Sequence, residues 1–227
     1  MIADIYYSSD LEVMQMPRVC RAETEKNRSA IRQASARLFR EQGLRASVND
    51  VMGAAGLTHG GFYGHFASKD ELAAEACATA FAESAARWGK RVSGAPDLAA
   101  AHAAIIEGYL TPENRTAVGT SCPMAALATD VAREAADKPV RKTFRKGLER
   151  LIAALADVEP ARGADGARVQ ALSELATLVG AMVLARATLG HPLSDEIMDA
   201  ARQSLLTRAP SARRTARPVH RRSRHAR

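Results

Sequence analysis

The chain has 227 residues, 47% of them hydrophobic and 25% charged, with aromatics at only 4% and a formal net charge of +7. That length supports one sizeable core or a small and a larger domain. The composition excludes a disordered polymer, and the scarcity of aromatics leaves packing to Ala, Leu, Val and Met, a mixture that favours helices. Three cysteines, Cys20, Cys77 and Cys122, form no CxxC and lack the even count and density of a secreted disulfide scaffold, so a reducing, cytoplasmic setting is expected. The N-terminal stretch lacks the basic-then-apolar order of a signal peptide. The most apolar run, Leu175 to Ala185, is shorter than a bilayer span, so no membrane association is expected.

The charge is unevenly placed. Residues 1–17 carry three acids and no base, 18–91 twelve bases against eight acids, 92–207 twelve against fourteen, and 208–227 eight arginines with no acid. A basic first unit followed by a nearly neutral second unit fits a polyanion-binding head on a neutral body, while the same surplus also fits ordinary solvated surface.

In chain order, residues 1–24 read as a flexible extension. Glu25 to Gln42 predicts an amphipathic helix with Ile31, Ala34, Leu38 and Phe39 on one stripe, Arg28, Arg32, Arg37 and Arg40 mostly off it, and Gly43 as its stop. Ser47 and Asp50 have the spacing of a capping box, opening a short helix that buries Val48, Val51 and Ala55 and ends at Gly56. Thr58 is placed to cap a third helix, HGGFYGHF, whose large apolar side chains Phe62 and Phe66 share a face. A second box, Ser68 with Glu71, opens a long helix with Leu72, Ala76, Ala80 and Trp88 inward.

Beyond the break at 94–97 the pattern gives a further helix to Leu110, a polar loop or partly ordered connection over 111–122, a helix with Pro123 in its first turn, and a long helix with Val140, Phe144, Leu148, Leu151 and Leu155 on one face. Residues 159–166 read as a linker. The helix after it is apolar around much of its circumference, and Gly190, His191 and Pro192 end it before a last helix capped by Ser194. The fold class is all-α. A head over 25–72 precedes a larger helical domain over 73–207, and 208–227 is an acid-free basic tail expected to be disordered.

Gly60, Gly61 and Gly64 make the third helix a poor one on its own, at roughly 1 kcal/mol each against alanine. Bare helix surface suits close approach to a large partner such as a major groove, about 12 Å wide. Thr58, His59 and Gly60 would meet base edges, and Tyr63, His65 and Lys69 phosphate oxygens. His59 and His65 are too far apart along a helix to share a metal, and no metal or other cofactor is expected.

The stretch SVNDVMGAAGLTHGGFYGHFASKDELAAEA resembles the helix-turn-helix of the TetR family of transcriptional regulators, with its aromatic string followed by Ser-Lys-acidic-acidic-Leu. The resemblance covers residues 25 to about 90. It implies that Ser47, Thr58, His59, Gly60, Tyr63, His65 and Lys69 contact operator DNA, Tyr63 and Lys69 through the backbone, while Gly61 stands where many members have Thr, Ser or Ala. The segments GTSCPMAALATDVARE and LVGAMVLARATLGHPLSDEIMDAAR look like the C-terminal ligand and dimer domain of one subgroup. That likeness implies a homodimer through helices near 138–157 and 167–189, a palindromic double-stranded operator, and repression relieved by a small molecule.

Candidate effector-lining residues are Tyr109, Met124, Leu127, Phe144, Leu148, Met182 and Arg186, each of which also fits plain core packing. Trp88 has the same two readings. Cys122, next to a helix start, allows a lowered pKa and thiol-based sensing, or a small buried hydrophobe. No GxGxxG after a strand, GxxxxGK[ST], HExxH or GxSxG occurs, so an enzyme is not expected. A nonspecific binder driven by the basic head and tail stays open beside the regulator.

Overall fold

The structure, a computed structural model, describes residues 18–159 and 164–207. Helix α1 (Arg18–Gln42) begins well before the expected Glu25, so the supposed extension is helical from Arg18 onward. The readings made on residues 1–17, 160–163 and 208–227 lie outside the described residues. The stripe of α1 is buried as its spacing dictates, through Ile31, Ala34, Leu38 and Phe39. Gly43 ends the helix at φ +80, its N–H reaching Phe39 O at 2.9 Å.

Arg40 departs from the expected solvated face. It is 4% exposed because its guanidinium finds Glu83 at 2.8 Å, Ser121 O at 3.2 Å and its own Ala36 O. Arg28 is also drawn inward, over the Phe66 ring at 4.6 Å and onto Glu71 and Glu75, and the bond to Glu75 holds its pKa above the ordinary value. Ion pairing keeps both side chains on the packed side of α1.

Helix α2 (Val48–Ala54) has the full capping box: Asp50 N donates to Ser47 Oγ and Ser47 N to Asp50 Oδ2. Val51 is buried, with Met52 rather than Val48 or Ala55 as its second fully buried side chain. Gly56, at φ +72, turns the chain. The third element is a 3-10 helix, His59–Gly64, and Thr58 accepts no capping bond from it. Three glycines in six residues withhold the propensity that a longer α-helix requires. Helix α3 (Lys69–Ser93) opens with half of its expected box: Glu71 N donates to Ser68 Oγ, but the Glu71 carboxylate takes Ala67 N instead of Ser68 N.

The expected boundary at 72/73 falls inside α3, which packs on α1 near its start and along α7 for much of its length. The body continues with α4 (Leu98–Tyr109, capped by Asp97), α5 (Pro112–Thr116), a 3-10 turn over Val118–Thr120, α6 (Pro123–Arg133), α7 (Pro139–Ala156), α8 (Ala164–Ala187) and α9 (Leu193–Thr207). Residues 111–122, read as a polar loop or partly ordered connection, are mostly helical, because Thr111 accepts from Asn114 N and Pro112 occupies the first turn. Residues 164–166 of the supposed linker belong to α8.

Ser194 is not a cap. It lies inside α9, buried, and bonds Ala185 O at 2.6 Å. Gly190 stops α8 as anticipated, at φ +89. Continuous α8 is by length and composition long enough to cross a membrane, but Ala171, Leu175, Leu178, Met182 and Ala185 face the core.

Two close approaches fix the body. Gly147 on α7 lies against Phe81 on α3, whose ring meets Phe144 edge-on at 5.2 Å. His102 on α4 lies 2.7 Å from Glu174 on α8 and 3.2 Å from Glu159, with Gln170 donating to the other Glu174 oxygen at 2.8 Å. The Glu174 bond raises the His102 pKa above 6.5. Burial opposes ionisation of Glu174, but the bonds from His102 and Gln170 outweigh it and hold that carboxyl below 4.5.

Two outcomes follow. In Gly147→Ala the new Cβ would meet Phe81 at 2.2 Å, so despite better helix propensity the variant should lose about 1 kcal/mol net, read as a melting temperature lower by about 2–4 °C. The His102 contribution is complete below the unfolded histidine value and fades as pH rises through the raised folded one, and the Glu174 contribution fades as pH falls through its lowered value. The difference in melting temperature between wild type and His102→Gln should therefore peak between 4.5 and 6.5, the two ordinary values, and shrink as the medium becomes alkaline.

Candidate nucleic-acid interface and effector cavity

The 3-10 helix sits on the head through Phe62 and Phe66, each 1% exposed, with ring centroids 5.9 Å apart. Everything else on it except His65 faces solvent. Tyr63 is 74% exposed, its ring edge-on to Phe62 at 5.1 Å, so an apolar base holds up a free hydroxyl. Thr58, His59 and Gly60 are exposed beside it, and Ser47 is exposed at the start of α2.

The three glycines have no positive φ. A Cβ on Gly60 or Gly64 would meet nothing within 4 Å, and one on Gly61 only Met52 Cε at 3.8 Å. The fold therefore does not require these glycines, and the bare surface they leave faces outward.

Of the seven residues expected at DNA, Ser47, Thr58, His59, Gly60 and Tyr63 are exposed on or next to α2 and the 3-10 helix, and the other two differ. His65 is half-buried, its Nδ1 enclosed and its carbonyl accepting from Arg28. Lys69 lines a cleft between head and body, next to Asp130, Arg133 and Glu134. Across that cleft Leu44 N donates to Asp130 Oδ2 at 2.9 Å.

A cavity of about 210 Å³ lies between α3, α4, the 111–122 segment, α6 and α7. On its α3 wall stand Ser84, Arg87, Trp88 and Arg91, at 3- and 4-residue spacing on one helix face. Tyr109, Cys122, Met124 and Leu151 close the apolar side. The Tyr109 hydroxyl is buried beside the Cys122 thiol, and forms no well-aligned hydrogen bond among the described residues. Burial raises the Cys122 pKa and pushes that of Cys77 up to about 12, opposite to the activated thiol that the helix start at Pro123 allowed.

Of the residues given an effector-lining reading, the cavity gathers Tyr109, Met124 and Trp88. Leu127 and Met182 are fully buried core, and Phe144 and Leu148 pack partly buried against that core. Arg186 instead ties the 111–122 segment to α8, donating to Arg115 O at 3.1 Å, to Asn114 O at 2.9 Å and to Ser121 Oγ. Sequence reasoning missed Arg87 and Arg91, although their spacing around Trp88 was a readable signal.

Ser121 connects the two regions. Its carbonyl accepts from Arg40 of α1 and, at 3.4 Å, from Arg87 of the cavity wall. Just before it, Gly119 lets the turn approach α1 so closely that a Cβ would strike Glu41 and Arg37.

Residues 31–76 match the family model described as bacterial regulatory proteins, tetR family. No curated protein matches the chain. Among solved structures, the fold is similar to a TetR-family transcriptional regulator from Agrobacterium tumefaciens, with a TM-score of 0.69 and 20% identity over 83% of this chain and 100% of that one. It is similar to the reduced form of E. coli NemR, with a TM-score of 0.67 and 18% identity over 79% and 95% of the two chains. A TetR regulator from Chloroflexus aurantiacus gives a TM-score of 0.67 and 22% identity over 82% and 95%. The matched segment spans α2, the turn at Gly56 and the exposed 3-10 helix, so residues 31–76 form a tetR-family DNA-binding helix-turn-helix, and the rest of the chain shares the all-α fold of the regulators above.

Proposed function

We propose that this regulator is a homodimeric cytoplasmic repressor that reads a palindromic operator and is released from it by a small-molecule effector bound in its C-terminal domain. The observation that carries the DNA reading is the exposed, glycine-bared 3-10 helix held on Phe62 and Phe66. On it Thr58, His59 and Gly60 face base edges, and Tyr63 reaches phosphate with Ser47, His65 and Lys69 around it. The head corresponds to residues 25–72 and the effector and dimer domain to 73–207.

The dimer reading rests on α8, where Val169, Leu172, Val183 and Leu184 are exposed at helical spacing, continued by Leu189 and Leu193. The outward positions of α7 are instead Lys142, Arg145, Lys146, Glu149 and Arg150, which favours α8 with α9 over α7 as the paired surface. Effector control is supported by the cavity and by its contact, through Ser121, with α1 of the head. Repression follows if the liganded state spaces the two heads wrongly for successive major grooves, with α3 and the 117–122 turn as the moving parts.

Selection of bound duplexes from random DNA, with the full chain and with a chain ending at Leu206, tests the reading. Recovery by both of one short palindrome, with half-sites about 34–36 Å apart, is the expected result. No motif, together with binding lost on removing the basic tail, would instead establish the nonspecific binder. On the selected duplex, Lys69→Ala should lower the salt slope of log affinity by about 1, and Tyr63→Phe should weaken binding several-fold with little effect on that slope.

A further inference from the structure

Among the described arginines some pair with a carboxylate, while others, Arg141 and Arg186 among them, donate only to neutral acceptors. Arg28 pairs with Glu71 and Glu75, Arg40 with Glu83, Arg115 with Asp195 and Arg202 with Asp199. Arg87 and Arg91, on the cavity wall, have only neutral acceptors. Arg87 donates to Ser84 Oγ at 2.9 Å and to Ser121 O, and Arg91 to Gly108 O at 2.9 Å. Among the described residues no carboxylate lies within 4.0 Å of either guanidinium. Glu113, at the cavity mouth, is exposed and outside that range.

Burial lowers the pKa of both arginines, and the positive charge of Arg40 adds to the effect on Arg87. A guanidinium nevertheless keeps its proton in a protein, so two partly desolvated cations stand at one cavity with no carboxylate in contact, Glu83 acting on Arg87 only from beyond 4.0 Å while paired with Arg40. A second, independent feature points the same way: the buried Tyr109 hydroxyl, which lines the same cavity, has no well-aligned partner.

We propose that the cavity takes a small organic carboxylate, its two oxygens held by Arg87 and Arg91 with the Tyr109 hydroxyl as a further donor, and its apolar body packed on Trp88, Met124 and Leu151. Guanidinium forks fit carboxylate and phosphate alike. The choice between them comes from the rest of the wall, where an indole, a thioether and a leucine suit hydrocarbon and offer inorganic phosphate nothing. The volume of about 210 Å³ is below the roughly 300–1,000 Å³ of sites for drug-sized molecules, which restricts the ligand to an aryl or short alkyl acid. The carboxylate also competes for the Arg87 guanidinium that now touches the Ser121 carbonyl, the group shared with Arg40 of the head. This inference rests on the effector-responsive reading above and names its ligand class.

The test measures binding without DNA. Benzoate and hexanoate, their neutral amides and inorganic phosphate are titrated into the full-length protein by calorimetry, with thermal melting in parallel. Both acids should bind and raise the melting temperature, and the amides and phosphate should not. Arg91→Gln should weaken acid binding about tenfold or more, the effect of one charge-assisted contact, Arg91→Lys by less, and Tyr109→Phe several-fold. Amides binding as well as acids, acid affinity unchanged in a folded Arg91→Gln or Arg91→Lys protein, or no heat from either acid at millimolar concentration would each overturn the proposal. Effector control is judged separately, by whether bound acid lowers affinity for the selected duplex. Acid that binds through Arg91 and leaves the DNA complex intact would refute that control while supporting the ligand class.

Discussion

Much of this molecule depends on one buried charge, the Arg40 guanidinium enclosed where the head meets the body. A desolvated cation at that seam is tolerable only while its acceptors stay in place. Glu83 comes from the long helix α3, Ala36 O from the same helix as Arg40, and Ser121 O from the segment that walls the cavity. Three pieces of chain distant in sequence are therefore held to a common geometry. Any motion of residues 117–122 relative to α1 must either carry Arg40 along or leave it short of an acceptor. Packing reinforces the constraint at Gly119, where the absence of a side chain brings the turn against Arg37 and Glu41.

The same principle distinguishes the two ends of α3. Near its start the charges are satisfied internally: Glu71 and Glu75 take Arg28, and Asp70 takes Lys138. Near its end Arg87 and Arg91 reach only carbonyls and a hydroxyl. One helix thus has a self-neutralised half that anchors the DNA-binding unit and an electrostatically open half beside a cavity. Its middle is fixed by Phe81 against Gly147, a contact with no slack for sliding. Displacement at one end is consequently passed along the axis more readily than absorbed by repacking.

Local chemistry explains which features were legible in the sequence. Capping boxes, glycine stops and a prolyl first turn act within four residues, so Ser47 with Asp50, Gly43, Gly56 and Pro123 could be located directly. The buried stripe of α1 followed from periodicity. Arg40 could not be placed inside, because its partners are remote in the chain, and spacing alone assigns a long basic side chain to solvent. Residues 111–122 are polar, which periodicity reads as loop, while their order comes from the Thr111 cap and from Arg186 across the fold. The exposed residues from Thr58 to Gly64 were legible as a local string. The cavity was not, since it is assembled from five segments, and of the residues given a lining reading Trp88, Tyr109 and Met124 stand there. His102, Glu159 and Glu174 escaped for the same reason, each being unremarkable until the helices are brought together.

The open space around Gly60 and Gly64 separates two properties that are usually tied. Because neither position has a positive φ or a neighbour that a Cβ would strike, the scaffold is indifferent to what stands there, and substitutions would change the outer surface and hardly affect folding stability. Such a surface can drift through alternative side chains while Phe62 and Phe66 keep holding it in position. The exposed face of the 3-10 helix is in that sense free to change its chemistry without first acquiring compensating changes in the core.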